Sequence, residues 1–195
     1  MDIDTILKNF KSRGFQAVYF DTEQQAKQYI IAQCSGKSVS FGGSKTLEHM
    51  DLYDALKPCC TQVNWHWKGD GYHQTPDVYL TSANAVSQTG EIVNIDGMGN
   101  RVAATLYGAQ EVMFVCGMNK VREDLPAAIE RAQNIAAPQN ACRLEKQTAC
   151  AAAGKQQCFH CKPPHSICRA MVIHQAPMMH QKRCELILIG EALGY

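Results

Sequence analysis

No apolar run in this sequence is long enough to cross a bilayer. The longest stretches, such as VMFVCGM at residues 112–118, fall well short of the ~20 residues a transmembrane helix needs, so no membrane partner is expected. Charge of one sign is also lacking, with 19 Lys and Arg against 18 Asp and Glu for a net charge of +1. A balance so close to neutral gives the molecule no overall attraction for nucleic acid, leaving only local basic patches. The opening MDIDTILKNFKSRG has no basic segment leading into an apolar one, so no signal or transit peptide is expected there.

Several nucleotide and hydrolase signatures are missing as well. There is no Walker pattern, and GMGNRV at residues 97–102 carries Val102 where a dinucleotide fingerprint needs its third glycine. No GxSxG elbow occurs, and nothing pairs His49, His66 or His73 with a nucleophile. Low-complexity linkers and internal repeats are absent too. With 195 residues, 46% of them hydrophobic, the chain can bury a full core, and one domain spanning 1–195 is expected.

Alternating helical and strand patterns run along it. Ile3, Ile6, Leu7 and Phe10 recur at helical spacing over residues 3–13 with Asp2 or Asp4 as cap and Gly14 as stop. AVYF (17–20) reads as a strand, Asp21 and Thr22 cap a helix reaching Cys34, and SVSF (38–41) is a second strand. A helix is expected from Thr46 through TLEHMDLYDALK. DVYLTS and EIVNID then read as a hairpin or two neighbouring strands, followed by the helix NRVAATLYG, the buried strand EVMFVCG and the helix LPAAIERAQNIAA. The pattern breaks after Pro138 and resumes with the strands AMVIHQ and ELILIG. This order predicts a three-layer α/β/α fold with a mainly parallel sheet, interrupted by a cysteine-rich insertion at about 142–169.

Ligands of such sheets bind beyond the carboxyl ends of the strands. FGGSKT places Gly42, Gly43 and Ser44 there, TSANAV places Thr81, Ser82 and Asn84, and NIDGMGNRV places Asn94, Asp96, Gly97, Asn100 and Arg101. Backbone amides beside glycines and a nearby guanidinium suit a small anion. Tight turns and helix caps need the same residues, and Arg101 has a local carboxylate to pair with. Trp65 and Trp67 are either strand packing or a cleft wall.

Ten cysteines without an export signal point to a reducing compartment, so the cytoplasm is expected. Four of them, Cys150, Cys158, Cys161 and Cys168, lie within nineteen residues around a CxxC turn. That spacing lets four thiolates converge on a metal, either structural zinc or a [4Fe–4S] cluster, with His160 and His165 as substitutes for one cysteine. Reactive or disulfide chemistry and inert packing are the alternatives. Cys34, Cys59, Cys60, Cys116, Cys142 and Cys184 show no ligand spacing, and Cys116 is expected in the core.

The segments FGGSKTLEHMDLYDAL, DVYLTSANAVSQTGEIVNIDGMGNRVAATLYGAQEVMFVCGMNKV and ELILIGEALGY, in that order, resemble the lactate-utilization (LUD) domain family over most of the chain. The resemblance implies a fold similar to the NagB/RpiA/CoA-transferase group and a link to L-lactate oxidation, often beside iron–sulfur protein subunits. It puts one cleft on Gly42, Gly43, Ser44 and Thr46, on Thr81, Asn84 and Ala85, and on Asn94, Asp96, Gly97, Asn100 and Arg101. Small members also carry a cysteine segment before the last strands, although the gap from Cys150 to Cys158 is longer here. Two readings follow: a redox-associated protein holding an anionic metabolite and a cluster, with Asp96 as turn former or general base, or a non-enzymatic ligand-binding or assembly subunit with structural zinc. A transferase of the same fold would need a glutamate nucleophile, and no motif supplies one.

Overall fold

The computed structural model describes residues 2–71, 75–154 and 157–195; His73 lies outside them. Six strands form the main sheet: β1 (Gln16–Phe20), β2 (Ser38–Phe41), β3 (Gln62–Trp65), β4 (Val78–Thr81), β7 (Glu111–Gly117) and β10 (Arg183–Ile189), in the order β1-β10-β7-β4-β2-β3. All neighbouring pairs in it are parallel. A second sheet, ordered β8-β5-β6-β9, joins β5 (Ala85–Ser87), β6 (Ile92–Asp96), β8 (Val121–Arg122) and β9 (Ala170–His174).

The central strands are largely apolar because both sheet faces are covered, with Glu111, Arg183 and Glu185 confined to the first residues of β7 and β10. Residues alternate between the two sides: Leu80, Met113, Ile187 and Ile189 join one buried cluster, while Tyr79, Val112, Phe114, Leu186 and Leu188 join the other. On the first side lie α2 (Glu23–Cys34), α3 (Lys45–His49) and α4 (Leu52–Leu56), contributing Ile30, Leu47 and Leu52. The other side carries α1 (Ile3–Ser12), through Ile6 and Phe10, together with Val86, Ile92 and Val121 of the second sheet. The far face of that sheet is covered in turn by Ala128 and Ala132 against Ala85 and Val93. The expected three-layer α/β/α arrangement is present, with a small sheet added to one outer layer.

Local signals act as read in several places. Asp2 caps α1 by accepting from the Asp4 N–H, and Thr22 and Gln25 form a reciprocal capping box at the start of α2. Three expectations are corrected. The single helix from Thr46 is two, because Asp51 adopts a left-handed φ of 49° between α3 and α4. DVYLTS and EIVNID do not pair, since β4 belongs to the main sheet and β6 forms its hairpin with the unanticipated β5. Pro138 does not end the helical pattern. A helical run passes from α6 (Leu125–Arg131) through a π-helical stretch, Ala132–Ala136, into α7 (Ala137–Arg143), where proline stands in the first turn. The helix α5 (Asn100–Leu106) follows β6 as expected, and α8 (Ala149–Ala152) opens the cysteine segment. Among the described residues no helix is long and apolar enough to cross a membrane.

Candidate functional site

A cavity of about 620 Å³ opens beyond the carboxyl ends of β2, β3, β4 and β7. Gly43 and Ser44 follow β2, His66 and Trp67 follow β3, and Ser82 and Asn84 follow β4. The end of β6, its turn and the start of the following helix add Asp96, Gly97, Asn100 and Arg101, while α7 with Pro164 and residues 166–169 closes the other side. Parallel strands ending together expose their following loops to one space, which is why residues far apart in sequence meet.

Eight of the anticipated cleft residues line this cavity: Gly43, Ser44, Ser82, Asn84, Asp96, Gly97, Asn100 and Arg101. Gly42, Thr46, Thr81 and Asn94 stand behind it. A Cβ on Gly42 would meet Thr81 Oγ1 and Tyr79 OH at 2.8 Å, so this glycine lets the loop lie against β4. Gly43 similarly leaves room for the Trp67 indole, which a Cβ at that position would meet at 3.0 Å. Both tryptophan readings apply, since Trp65 is buried in the core and Trp67 stacks on it at 5.2 Å while forming the cleft wall.

Arg101 is a clamp for the second sheet's strand end. Its Nη2 donates to Ile95 O at 2.7 Å and Asn84 Oδ1 at 3.2 Å, and its Nη1 donates to Asn94 Oδ1 and to Ser82 O at 3.4 Å. Its Nε faces Asp96 Oδ2 at 3.6 Å. Burial lowers the Arg101 pKa, against the raising influence of Asp96. Asp96 Oδ1 accepts from Met98 N and Gly99 N at 3.1 and 2.9 Å. Of the two roles considered for Asp96, this geometry fits the organiser of the turn.

The residue that sequence reasoning missed is Lys120. It is 3% exposed, and its Nζ donates to Thr46 Oγ1 and Ser82 Oγ, each at 2.9 Å. Thr46 in turn donates to Leu193 O at 3.2 Å, and Ser82 Oγ lies 3.8 Å from Cys116 Sγ. Lys120 makes no ion pair among the described residues. Burial pushes its ammonium down to about 8, with Arg131 and Arg101 acting in the same direction and Cys116 opposing them. A buried cation held by hydroxyls alone, on the wall of a cavity, is placed to receive an anion. The one available signal was its position three residues past the central strand EVMFVCG, in a loop at the ligand end of the sheet.

The cysteine segment forms part of the cavity wall through Pro164, Ser166, Ile167 and Cys168. Burial, followed by the charges of Cys158, Cys161 and Cys150, pushes the Cys168 thiol up to about 11. The His160 N–H points at Cys158 Sγ (3.4 Å), and Thr148 Oγ1 lies 3.2 Å from Cys150 Sγ. All ten cysteines are free thiols. No three His, Cys, Asp or Glu side chains among the described residues stand in metal-holding geometry. The donor set itself, four soft thiols beside a backbone N–H donor, has the chemistry of a zinc or iron–sulfur site. Cys34, Cys116 and Cys184 are buried apolar-type residues, Cys59 and Cys60 lie 3.9 Å apart near α4, and Cys142 is exposed.

The family model of the LUD domain matches residues 3–189. Among solved structures, the chain is similar to the crystal structure of a DUF162 family protein from Deinococcus radiodurans, with a TM-score of 0.57 and 13% sequence identity over 97% of this chain and 99% of that one. At that identity the likeness shows the fold alone. No curated protein matches the chain.

Proposed function

Because this chain belongs to the LUD domain family, we propose that it serves lactate utilization or related organic-acid metabolism, binding a small anionic metabolite in the cleft and a metal centre through its cysteine segment. The observation that carries the anion site is Lys120, a buried cation facing the cavity with Thr46 and Ser82 as its hydroxyl partners and without a carboxylate among the described residues. An incoming carboxylate supplies the missing countercharge, and the Ser82 hydroxyl and the Asn84 and Asn100 side chains offer further hydrogen bonds. Arg101 supports this site by fixing the turn that carries Asp96 and Asn100.

Cys150, Cys158, Cys161 and Cys168 would hold the metal. A [4Fe–4S] cluster would supply one-electron transfer and accords with a partnership with iron–sulfur redox subunits. A second reading is favoured by the same segment's place in the cavity wall: structural zinc there would order the wall, and the chain would act as a non-enzymatic binding or assembly subunit.

Anaerobic purification followed by metal and sulfide analysis tests the centre. Brown protein with matching iron and sulfide supports the cluster, and colourless protein with one zinc supports the second reading. Cys161→Ser should lower the metal content either way, and undiminished content removes the segment from the proposal. For the cleft, calorimetry with L-lactate should detect binding that Lys120→Met weakens; equal binding by both proteins refutes the anchor.

A further inference from the structure

We infer that the ligand of this cleft is a phosphorylated compound carrying two or more negative charges, in preference to a simple monocarboxylic acid. The inference rests on the anion-cleft reading above and names the class of ligand. Volume is the first observation. Even at the ~30 Å³ that a water occupies in the liquid, the six heavy atoms of lactate fill less than about a third of such a cavity, which measures about 620 Å³.

Charge is the second. Lys45, Arg101, Lys120, Arg143, Lys146 and Arg169 line the cavity, with Asp96 as its single side-chain carboxylate among the described residues. Lys45 is paired with Glu48 and Arg101 with Asp96, which leaves Lys120, Arg143, Lys146 and Arg169 without an ion pair among the described residues. The whole chain carries a net charge of only +1, so this concentration is local. Opposing walls of one sign focus the field within a cavity and raise the local concentration of an oppositely charged ligand.

Placement is the third. Lys120 is buried, whereas Arg143, Lys146 and Arg169 are exposed. The cations are thus distributed from the interior to the rim, matching an elongated polyanion better than one compact charge. Arginines at the rim suit phosphate oxygens, which accept two parallel N–H bonds from a guanidinium. The terminal anionic group would sit at Lys120 and Ser82, with further phosphates or an organic moiety reaching outward.

Calorimetry on the full chain at low ionic strength, using L-lactate, inorganic phosphate, pyrophosphate and ADP, tests this. Pyrophosphate or ADP should bind at least about tenfold more tightly than lactate, and added salt should erode that preference. Tight pyrophosphate with weak ADP identifies an inorganic polyanion; tight ADP identifies an organic phosphate. The Arg143→Ala/Lys146→Ala/Arg169→Ala variant, checked for an unchanged circular dichroism spectrum, should shrink the preference for polyanion over lactate. Lactate binding as tightly as every phosphate, or a preference untouched by the triple variant, overturns the inference while the anion cleft stands. Binding of none of the four probes overturns both.

Discussion

Lys120 concentrates the site's conflict between stability and binding in one side chain. Its ammonium titrates near 8 in the folded chain against an ordinary 10.5, and a depression of that size corresponds to a cost of about 3 kcal/mol for burying the charged form. The cost is fully present below pH 8. It is relieved as pH rises from about 8 to 10.5, where the unfolded chain binds the extra proton, so stability should climb across that window. Lys120→Met keeps the volume and removes the charge, but leaves two hydroxyls short of a donor. Urea unfolding at pH 7 should therefore show a gain of roughly 1–3 kcal/mol, with the alkaline rise flattened. A lower midpoint would mean that the hydroxyl network outweighs desolvation. Anion affinity should move oppositely with pH, falling above about 8 as the ammonium is lost. Arg101 behaves differently because its donors are spent on Asn84, Asn94, Ser82 and Ile95. Replacing it with leucine strands these acceptors and Asp96 and should cost roughly 3–5 kcal/mol in the same assay.

Between residues and the whole, the elements of this chain are shaped by a few backbone positions. Asp51 holds a left-handed φ of 49° so that α3 can end and α4 can turn back onto the sheet. Asp51→Gly removes the strain of that conformation and should raise the unfolding midpoint by up to about 1 kcal/mol equivalent, less the entropy glycine adds to the unfolded chain. Gly97 ties the β6 turn to the cysteine segment. A Cβ there would come within 2.7 Å of Ile167 O, and the adjacent Arg169 N–H donates to Asp96 O at 2.9 Å. Since the obstacle is backbone, Gly97→Ala has to push the segment away. Amide exchange at Arg169 should accelerate by at least about tenfold in that variant if local opening becomes easier, and unchanged exchange would show that the segment is not anchored at this turn.

At the scale of the molecule, the cleft joins parts of both sheets. The loops after β2, β4 and β7 come from the parallel sheet, Asp96 ends a strand of the smaller one and Arg101 follows it, and the buried cluster around Phe114 includes Val86, Ile92 and Val121 of that smaller sheet. A ligand spanning these loops should stabilise the molecule as one unit. At about a hundredfold excess over Kd the gain is about 2.7 kcal/mol by mass action, read as a single shifted transition with slower amide exchange in β4 and β6 together. Two transitions, only one of them ligand-dependent, would show that the sheets unfold separately.

Much of this was legible along the chain. The alternating apolar strands and capped helices specify the parallel sheet through local periodicity, and loops at strand ends mark where a ligand lies, so Gly43, Ser44, Asn84, Asp96, Gly97, Asn100 and Arg101 could be placed at one cleft. Tertiary structure decided what local patterns do not encode. Pairing between β5 and β6, and the separation of β6 from β4, depend on which sheet buries each face. The roles of Arg101 and Lys120 depend on partners from other elements: a guanidinium surrounded by acceptors becomes a clamp, whereas an amine buried between two hydroxyls keeps its charge uncompensated. Sequence determined the chemical groups available and their order at the strand ends; only packing determined which charge was left to meet a ligand.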